Sequence, residues 1–320
     1  MKSAKTNQFA TALTTTELFF QTQDNLKLKW WSGDKNSDKA FTQISFTSSE
    51  LGLVGYFNLI HANQAQIIGK NELNFFNNAD DAVLNNALIQ LFQRKSTAIF
   101  ISDDLTPPEN FKDLSTKYNL PIICSSLSSN ELMDQLRHYL TQSLAEKEIH
   151  HGVFMEVISV GVLITGQSGL GKSELALDLV CRGHRIIADD APEFARIAPD
   201  TINGTCPELL QNFLEVRGLG VLNIRQMYGD SAIKSNKYLK LIIELIPPKM
   251  HVPKNEDRIR LSERKTNILG INIPTISLPV APGRNLAVLV EAAVRDHLLV
   301  KNGYSASEDF ITRQQNAINK

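Results

Sequence analysis

Short apolar runs of strand length alternate with helically spaced apolar positions in the first half of the chain. The runs Thr97–Ser102 and Leu120–Cys124 are bounded by polar or turn residues, as buried strands typically are. The preceding segment, Leu84–Arg94, carries apolar residues at helical spacing. This alternation predicts a small α/β domain.

A longer amphipathic helix closes this first half. Ser128 and Glu131 have the spacing of a capping box, and leucine recurs every fourth residue along one face, at Leu132, Leu136, Leu140 and Leu144. The run Ala145–His150 is polar and shows no buried pattern, so we place the domain boundary there. The sequence thus predicts an amino-terminal α/β domain over residues 1–146 and a second domain over residues 147–320.

After the boundary, predicted strands lead into loops rich in glycine or proline. Val153–Ser159 and Gly161–Thr165 are predicted strands, and the second runs directly into a glycine-rich loop. Leu241–Ile246 is a third predicted strand, ended by two prolines, and Pro247–Arg260 is predicted to be a loop. Asn285–Val300 predicts a helix that is apolar almost all round and packs on two sides, either at a subunit contact or deep within its domain.

Composition narrows the class of protein without identifying it. Hydrophobic residues make up 42% of the 320 positions, and the formal net charge of −1 gives no general attraction for nucleic acid or anionic membranes. No apolar run is long enough for a membrane span, and the first residues lack the apolar core of a secretory signal. Three widely spaced cysteines predict neither disulfides nor a zinc site, so we expect a cytoplasmic protein without nucleic-acid or membrane partners.

The most specific signal is a complete phosphate-binding loop. The pattern G-x-x-x-x-G-K-[ST] is matched by Gly166, Gln167, Ser168, Gly169, Leu170, Gly171, Lys172 and Ser173. A predicted strand precedes the loop and a predicted helix follows it, which is the context that the motif requires. Backbone N–H groups would surround phosphate oxygens, the lysine would neutralise the β- and γ-phosphates of ATP, and the serine hydroxyl would bind Mg²⁺. The alternative is a glycine-rich turn without a ligand.

An acidic pair follows the next predicted strand. Arg185–Ala188 is a short apolar run that leads into Asp189 and Asp190. A strand, a helix and another strand place these carboxylates beside the phosphate loop, at the carboxyl edge where open α/β sheets bind ligands. One carboxylate near a metal and one that accepts a proton from an attacking hydroxyl would suit phosphoryl transfer. The alternative is a solvated acidic turn.

Several blocks of this second half resemble the HPr kinase/phosphorylase family. His151–Val153, the phosphate loop and Gly183–Asp190 lie in one compact stretch, and Leu214–Asn223 is similar to the family's signature segment. Pro279–Asn285 resembles the family's late loop. These blocks cover most of residues 151–300 in the family's order. The amino-terminal half is compatible with the family's first domain, whose role the sequence leaves undefined.

The resemblance implies a P-loop kinase domain of the phosphoenolpyruvate carboxykinase type and a Mg²⁺-dependent enzyme with two activities. The first is phosphorylation of a serine in the phosphocarrier protein HPr, or a paralogue, with ATP or pyrophosphate as the donor. In the second, inorganic phosphate attacks the phosphoserine and releases pyrophosphate. The family forms homohexamers, and we expect the same assembly here.

The resemblance also assigns roles to four candidate catalytic residues. Asp190 is the general base that takes the seryl proton and returns it in the reverse reaction. Lys172 would hold the transferring charge, and Arg258, in the predicted loop, would stabilise the transferred group. His151 would either hold phosphate when protonated or hydrogen-bond to Asp190 when neutral. Without the resemblance, His151 and Arg258 would be interpreted as solvated residues.

Further residues match positions at which the family binds metal and phosphate. Glu215 matches the second Mg²⁺ position beside Ser173, although on its own it would be interpreted as a solvated strand residue. The turn after it contains Arg217, Gly218 and Gly220, and its glycines would let phosphate or a protein backbone approach closely.

Two positions depart from the usual family pattern. Gln167 stands where the phosphate loop often has Asp, a small change because the cradle is mainly backbone. Ala281 stands where many members have arginine, which weakens the expectation of efficient phosphorylase activity, although Arg284 remains to engage phosphate. Two alternative functions stay open, a P-loop kinase of a small metabolite and a non-catalytic regulator that senses ATP.

Overall fold

Two structural units make up the part of the chain that the structure describes, and they meet in the sequence between Glu146 and Lys147. The computed structural model describes residues 12–43, 51–60, 62–247 and 264–318. Both units combine helices with sheets, which confirms the predicted α/β class. None of the helices in these ranges has the length and apolar character that a membrane span requires.

The amino-terminal unit is built on a sheet whose strands alternate with helices. Its elements in chain order are β1 (Ala12–Thr14), α1 (Thr15–Thr22), β2 (Leu28–Ser32), β3 (Ala40–Thr42), β4 (Leu51–Tyr56), β5 (Ala62–Ile68), α2 (Lys70–Asn78), α3 (Asp81–Gln93), β6 (Ala98–Ile101), α4 (Asn110–Lys117), β7 (Ile122–Ser125) and α5 (Ser129–Ser143). The strand order is β2-β7-β6-β5-β4, in which β4 to β7 are parallel and β2 is antiparallel to β7. β1 and β3 form a separate antiparallel pair.

Helices cover both faces of this sheet because its strands are apolar on both sides. Successive strand residues point to opposite faces, so Phe100 joins a core with α1 and α5, whereas Ile99 and Ile101 join a core with α2, α3 and α4. The predicted leucine stripe of α5 is buried, and Ser128 and Glu131 form the predicted capping box. The alternating pattern of this half therefore predicted its α/β class correctly.

The carboxyl-terminal unit continues with a larger mixed sheet. Its elements are β8 (Glu146–Ile149), β9 (Val153–Val157), β10 (Val160–Gly166), α6 (Lys172–Cys181), β11 (Arg185–Ala188), β12 (Glu193–Ala198), β13 (Thr201–Thr205), β14 (Phe213–Val216), β15 (Gly220–Asn223), α7 (Ile224–Tyr228), β16 (Asn236–Ile246), β17 (Lys265–Ile268), β18 (Ile271–Pro279), α8 (Leu286–Lys301) and α9 (Ala306–Ile318). The strand order is β11-β9-β10-β16-β13-β12-β8, with β18 paired to β16 and β17 paired to β18. β14 and β15 form a separate hairpin.

Four strand ends of this sheet meet at one edge. β10, β16 and β18 are parallel, and β11 shares their direction because β10 and β11 are both antiparallel to β9. The carboxyl ends of these strands are Gly166, Ala188, Ile246 and Pro279. The phosphate loop, the acidic pair and the late loop all follow these ends, so the topology brings the predicted chemistry to one edge.

The core beneath this edge is formed mainly by α6 and α8. The predicted apolar stripe of α6 is buried against β9, β10 and β16, and one face of α8 joins the same core. The stripe consists of Leu175, Ala176, Leu179 and Val180. The opposite face of the sheet has its own core around Phe154 and Leu163. Apolar burial on both faces holds β10 and β16 rigidly, which gives the phosphate loop a firm base.

The polar run Ala145–His150 differs from its prediction because it contains strand β8. This strand lies at the outer edge of the sheet beside β12 and is paired through polar side chains, as in the ion pair between Lys147 and Glu193 at 2.9 Å. An edge strand needs no buried stripe, which is why its apolar pattern is absent.

Helix α8 does not have one of the two packing arrangements predicted for it, the position deep within its domain. Ala287 and Val290 are buried, but Val288, Leu299 and Val300 are between 46% and 53% exposed. The helix is therefore buried along one face and does not lie deep within its unit. Most of the predicted loop after β16, including Arg258, lies outside the described residues.

Candidate active site

The phosphate loop connects the end of β10 to the start of α6. Gly166 has φ +142°, and a Cβ placed on it would lie 2.7 Å from the carbonyl oxygen of Leu245 in β16. Gly171 caps α6 with φ +82°, a conformation that glycine adopts without strain. These two glycines let the loop pass close to β16 and lead into a helix N-terminus, where backbone N–H groups bind phosphate.

The ammonium group of Lys172 lies against carbonyl groups of its own loop. Its Nζ donates hydrogen bonds to the backbone oxygens of Gly166 at 3.1 Å and Gln167 at 3.3 Å. Lys172 and the adjacent Ser173 are half-buried, whereas Gln167 is exposed. A phosphate in the loop would offer the ammonium charged oxygens, which accept stronger hydrogen bonds than neutral carbonyls.

The two carboxylates after β11 differ in exposure. Asp189 is partly buried, and its Oδ2 accepts a hydrogen bond of 2.9 Å from the backbone N–H of Glu215. Burial raises the pKa of Asp189, and the nearby Asp190 and Glu215 carboxylates raise it further, against the lowering effect of hydrogen bonds from the backbone N–H groups of Glu215 and Asp190. Asp190 is exposed, so a docked substrate can reach its carboxylate. Its backbone has φ +64°, in the left-handed region.

His151 lies beside Asp190 at this edge. Its Nδ1 is 3.9 Å from Asp190 Oδ1, and the two side chains are 91% and 82% exposed. The backbone supports this arrangement because the N–H of Gly152 donates to the carbonyl oxygen of Asp190 at 3.4 Å. The structure therefore brings together an imidazole and a carboxylate that are both open to a large partner.

The hairpin of β14 and β15 carries Glu215 and Arg217. Leu214 and Val216 are buried in the core that contains α6, so the alternation of the strand leaves Glu215 exposed. Arg217 follows at the turn, and a Cβ placed on Gly169 would lie 3.9 Å from its Nη1. The Arg217 guanidinium thus lies beside the phosphate loop, where it can attract phosphate.

The donor types around the loop fit Mg²⁺ without forming a complete cage. Ser173 places a hydroxyl at the first turn of α6, and Glu215 places an exposed carboxylate on the hairpin. Among residues that the structure describes, no three acidic, histidine or cysteine side chains converge to hold a metal ion. Proteins commonly hold Mg²⁺ with one or two side chains plus substrate phosphates, so this set fits a metal that arrives with a nucleotide.

The remaining candidate residues lie in turns or outside the described residues. Gly218 and Gly220 have φ +87° and +86° with open space around them, which leaves the hairpin turn accessible. Arg284 is exposed in the late loop after β18, and its N–H donates to the carbonyl oxygen of Ala281 at 3.3 Å. Arg258 lies in the segment that the structure does not describe, so its predicted role stays a prediction.

Family comparison supports the resemblance seen in the motifs. The profile "HPr Serine kinase N terminus" matches residues 13–140, and "HPr Serine kinase C-terminal domain" matches residues 142–314. The second match covers more than half of the chain and includes the phosphate loop, the acidic pair and the hairpin.

The chain belongs to the HPr serine kinase family.

Curated members of this family match over nearly the whole chain. A protein named HPr kinase/phosphorylase from Xanthomonas axonopodis pv. citri (strain 306) is 44% identical over 311 residues, which is 97% of this chain and 98% of that protein. A protein of the same name from Xanthomonas euvesicatoria pv. vesicatoria (strain 85-10) has the same identity and coverage. A solved structure, that of the Hpr(Ser) kinase/phosphatase from Coxiella burnetii, is 35% identical with a TM-score of 0.47 and covers 51% of this chain and 98% of that one.

The motifs of this HPr serine kinase family member did not reveal the contact made by Asp189. Its carboxylate and the Glu215 amide are 26 residues apart in the sequence. Local spacing therefore carries no signal for their hydrogen bond. The only hint was that two adjacent carboxylates follow one strand, which suggested a division of roles without saying what the first one touches.

Proposed function

We propose that this protein is an HPr kinase/phosphorylase. It phosphorylates a serine of the phosphocarrier protein HPr with ATP and removes that phosphate with inorganic phosphate. The proposal rests on a complete phosphate loop at the same sheet edge as an acidic pair, in a chain 44% identical over 97% of its length to a protein of that name. No observation favours a metabolite kinase or a non-catalytic regulator instead.

In the forward reaction, the seryl oxygen of the partner attacks the γ-phosphorus of ATP. The bond from that phosphorus to the β–γ bridging oxygen breaks, and ADP leaves. Asp190 accepts the seryl proton, and its exposure at the sheet edge suits a hydroxyl presented by a folded protein. The loop N–H groups and Lys172 stabilise charge on the phosphates, with Arg217 beside them and Arg258 proposed to act on the transferred group.

In the reverse reaction, an oxygen of inorganic phosphate attacks the phosphorus of phosphoserine. The bond between that phosphorus and the seryl oxygen breaks, and pyrophosphate forms. Protonated Asp190 gives its proton to the leaving seryl oxygen, so one carboxylate serves both directions. The exposed side chains of Arg284 and, when protonated, His151 would supply positive charge for the incoming phosphate. Pyrophosphate acts as an alternative donor by running these steps backwards.

The proposed metal ligands are Ser173 and Glu215. When bound, Mg²⁺ would neutralise charge on the phosphates and help to orient them. Ser173 follows Lys172 directly, so the hydroxyl and the ammonium address the same phosphates from one helix turn. Glu215 lies on the separate β14–β15 hairpin and would contribute its exposed carboxylate from there.

We also propose that the protein acts in the cytoplasm, where ATP is available, as a homohexamer with HPr or a paralogue as its partner. Helices α8 and α9 support self-association because they expose large apolar side chains: Val288, Leu299, Phe310 and Ile318. Sedimentation at working concentration should give a mass several times that of one chain. A mass of one chain would contradict this assembly.

The function is tested by phosphotransfer with defined components. Purified protein, Mg²⁺, labelled ATP and HPr should give label on one HPr serine, located by mass spectrometry. Phosphorylated HPr with inorganic phosphate should release pyrophosphate. Asp190→Asn provides the matched control for both assays. Label on a small metabolite, or nucleotide binding with no transfer in the parent protein, would contradict the proposal.

A further inference from the structure

The side chain of Asp189 joins two parts of the site that are not paired in any sheet. Asp189 follows β11 at the edge of the large sheet, whereas Glu215 lies in the separate β14–β15 hairpin. The hydrogen bond from the Glu215 N–H to Asp189 Oδ2 is 2.9 Å long. It therefore ties the strand that leads to Asp190 to the strand that carries Glu215 and Arg217.

Apolar packing alone does not determine the position of this hairpin along the core that contains α6. Leu214 and Val216 are buried against the core of α6, which decides which face of β14 points inward. Apolar burial is not directional, so it tolerates small sliding movements. A hydrogen bond to a charged acceptor is directional and short, and so it defines the position of the Glu215 backbone.

The placement of this carboxylate is otherwise unfavourable. Asp189 is partly buried, and Asp190 and Glu215 add like charge close to it. Its side chain is too enclosed to serve the docked hydroxyl in the way that exposed Asp190 does. Its carboxylate accepts hydrogen bonds from the backbone N–H of Glu215 and from that of the adjacent Asp190, and the first of these reaches the hairpin, which assigns Asp189 a role in geometry.

We propose that Asp189 is a positioning residue that sets the location of Glu215 and Arg217 relative to Asp190. It acts through the backbone of Glu215 and does not contact the substrate. This inference rests on the proposed function for the roles of Glu215 and Asp190. The positioning itself is a property of the protein alone and can be measured without substrate.

Three variants test the proposal. Asp189→Asn keeps an amide oxygen that can accept the Glu215 N–H, whereas Asp189→Ala removes the acceptor. Asp200→Ala is the matched control, because Asp200 is an exposed aspartate in the turn between β12 and β13. Calorimetry of each variant shows whether the carboxyl-terminal unit still folds.

The first measurement is amide hydrogen–deuterium exchange of residues 213–223 in protein free of metal and nucleotide. We expect Asp189→Ala to speed exchange in this peptide by about tenfold or more, a change that corresponds to about 1.4 kcal/mol in local opening free energy. Asp189→Asn and Asp200→Ala should stay within about threefold of the parent. Unchanged exchange in Asp189→Ala would overturn the proposal.

The second measurement is the Mg²⁺ concentration that gives half-maximal phosphotransfer to HPr. Asp189→Ala should raise this concentration by about 10- to 100-fold, as loss of groups that orient metal ligands does, and Asp189→Asn should keep it close to that of the parent.

If Asp189→Asn is as inactive as Asp189→Ala while its peptide stays protected, Asp189 acts as a ligand or base and the proposal is wrong. If the parent protein transfers no phosphate, the proposed function fails, and the exchange experiment still decides the positioning role. If Asp189→Ala does not fold, both measurements are made on Asp189→Asn alone. Faster exchange or a higher Mg²⁺ requirement in that variant than in the parent would then overturn the proposal.

Discussion

The imidazole of His151 lies 3.9 Å from the carboxylate of Asp190, although both side chains are almost fully exposed. This separation is too long for a hydrogen bond, so a neutral imidazole has little hold on the carboxylate in this arrangement. A protonated imidazole would act through charge, and under the proposed function it could attract the phosphate that the reverse reaction needs. The geometry therefore favours the phosphate-holding role of His151 over the hydrogen-bonding role.

Asp190→Asn should lose phosphotransfer in both directions. The amide keeps the shape of the side chain but cannot accept the seryl proton or return it. We expect kcat for HPr phosphorylation and for pyrophosphate release to fall by about 100- to 10,000-fold. Both rates are measured with the same preparation, because the proposed function makes Asp190 the proton carrier in both reactions.

Nucleotide binding provides the control for Asp190→Asn. Asp190 is exposed and lies beyond β11, not in the phosphate loop. ATP affinity, measured by calorimetric titration, should therefore stay within a few-fold of the parent. Retained transfer with the Asn variant would show that another group takes the proton.

Lys172→Met should weaken ATP binding and slow transfer by at least about 100-fold. The ammonium donates to two loop carbonyls and is the loop's charged donor for phosphate. Because the side chain is only half-buried, the unfolding temperature should change little. Lys265→Met, at an exposed lysine of β17, is the matched control and should leave both measurements unaltered.

Most of the fold was predictable because it depends on patterns that repeat locally. Strands β6 and β7 were short continuous apolar runs, helix α5 carried a leucine at every fourth position, and the phosphate loop has a nearly invariant spacing. Strand β8 was missed because an edge strand has no apolar stripe to detect. The bond between Asp189 and Glu215 depends on how a hairpin docks on a sheet, which no single stretch of sequence encodes.

Ala281→Arg should favour the reverse reaction. Ala281 lies after β18, at the sheet edge shared with the phosphate loop, and an arginine there would add a second cation near Arg284. A guanidinium binds phosphate through paired hydrogen bonds. We expect the ratio of phosphorolysis rate to kinase rate to rise by about tenfold, measured as pyrophosphate released against serine phosphorylated. An unchanged ratio would show that this position does not control the direction of the reaction.

Gly166→Ala should destabilise the carboxyl-terminal unit more than Gly183→Ala does. Both glycines have positive φ, +142° and +90°, so alanine is strained at each. At Gly183 there is open space, and we expect a loss of about 1 kcal/mol. At Gly166 the new methyl would lie 2.7 Å from the Leu245 carbonyl oxygen, and we expect a loss of about 2 to 4 kcal/mol. Calorimetric unfolding of the two variants compares the losses.

Glu291 should make the carboxyl-terminal unit sensitive to acid. It receives two hydrogen bonds from Arg182, at 2.8 and 3.0 Å, and lies 3.0 Å from His184. The bonds from Arg182, together with the contact to His184, lower the pKa of Glu291 to about 2 from 4.5. Because the folded-state pKa is the lower one, this stabilisation is complete above pH 4.5 and is lost as pH falls towards 2.

Glu291→Gln should therefore lower the free energy of unfolding at neutral pH by about 1 to 2 kcal/mol, because it leaves the Arg182 guanidinium without its carboxylate. The variant should then lose less stability than the parent as pH falls from 4.5 towards 2, where Glu291 takes up a proton in the unfolded parent but stays ionised in the folded parent. Asp309→Asn removes the acceptor of another paired Arg–carboxylate contact, with Arg313 on α9, but at a solvated site. Its unfolding temperature should stay close to that of the parent, since exposed pairs contribute little. Equal acid sensitivity in the parent and in Glu291→Gln would show that Glu291 does not link α8 to the end of α6 energetically.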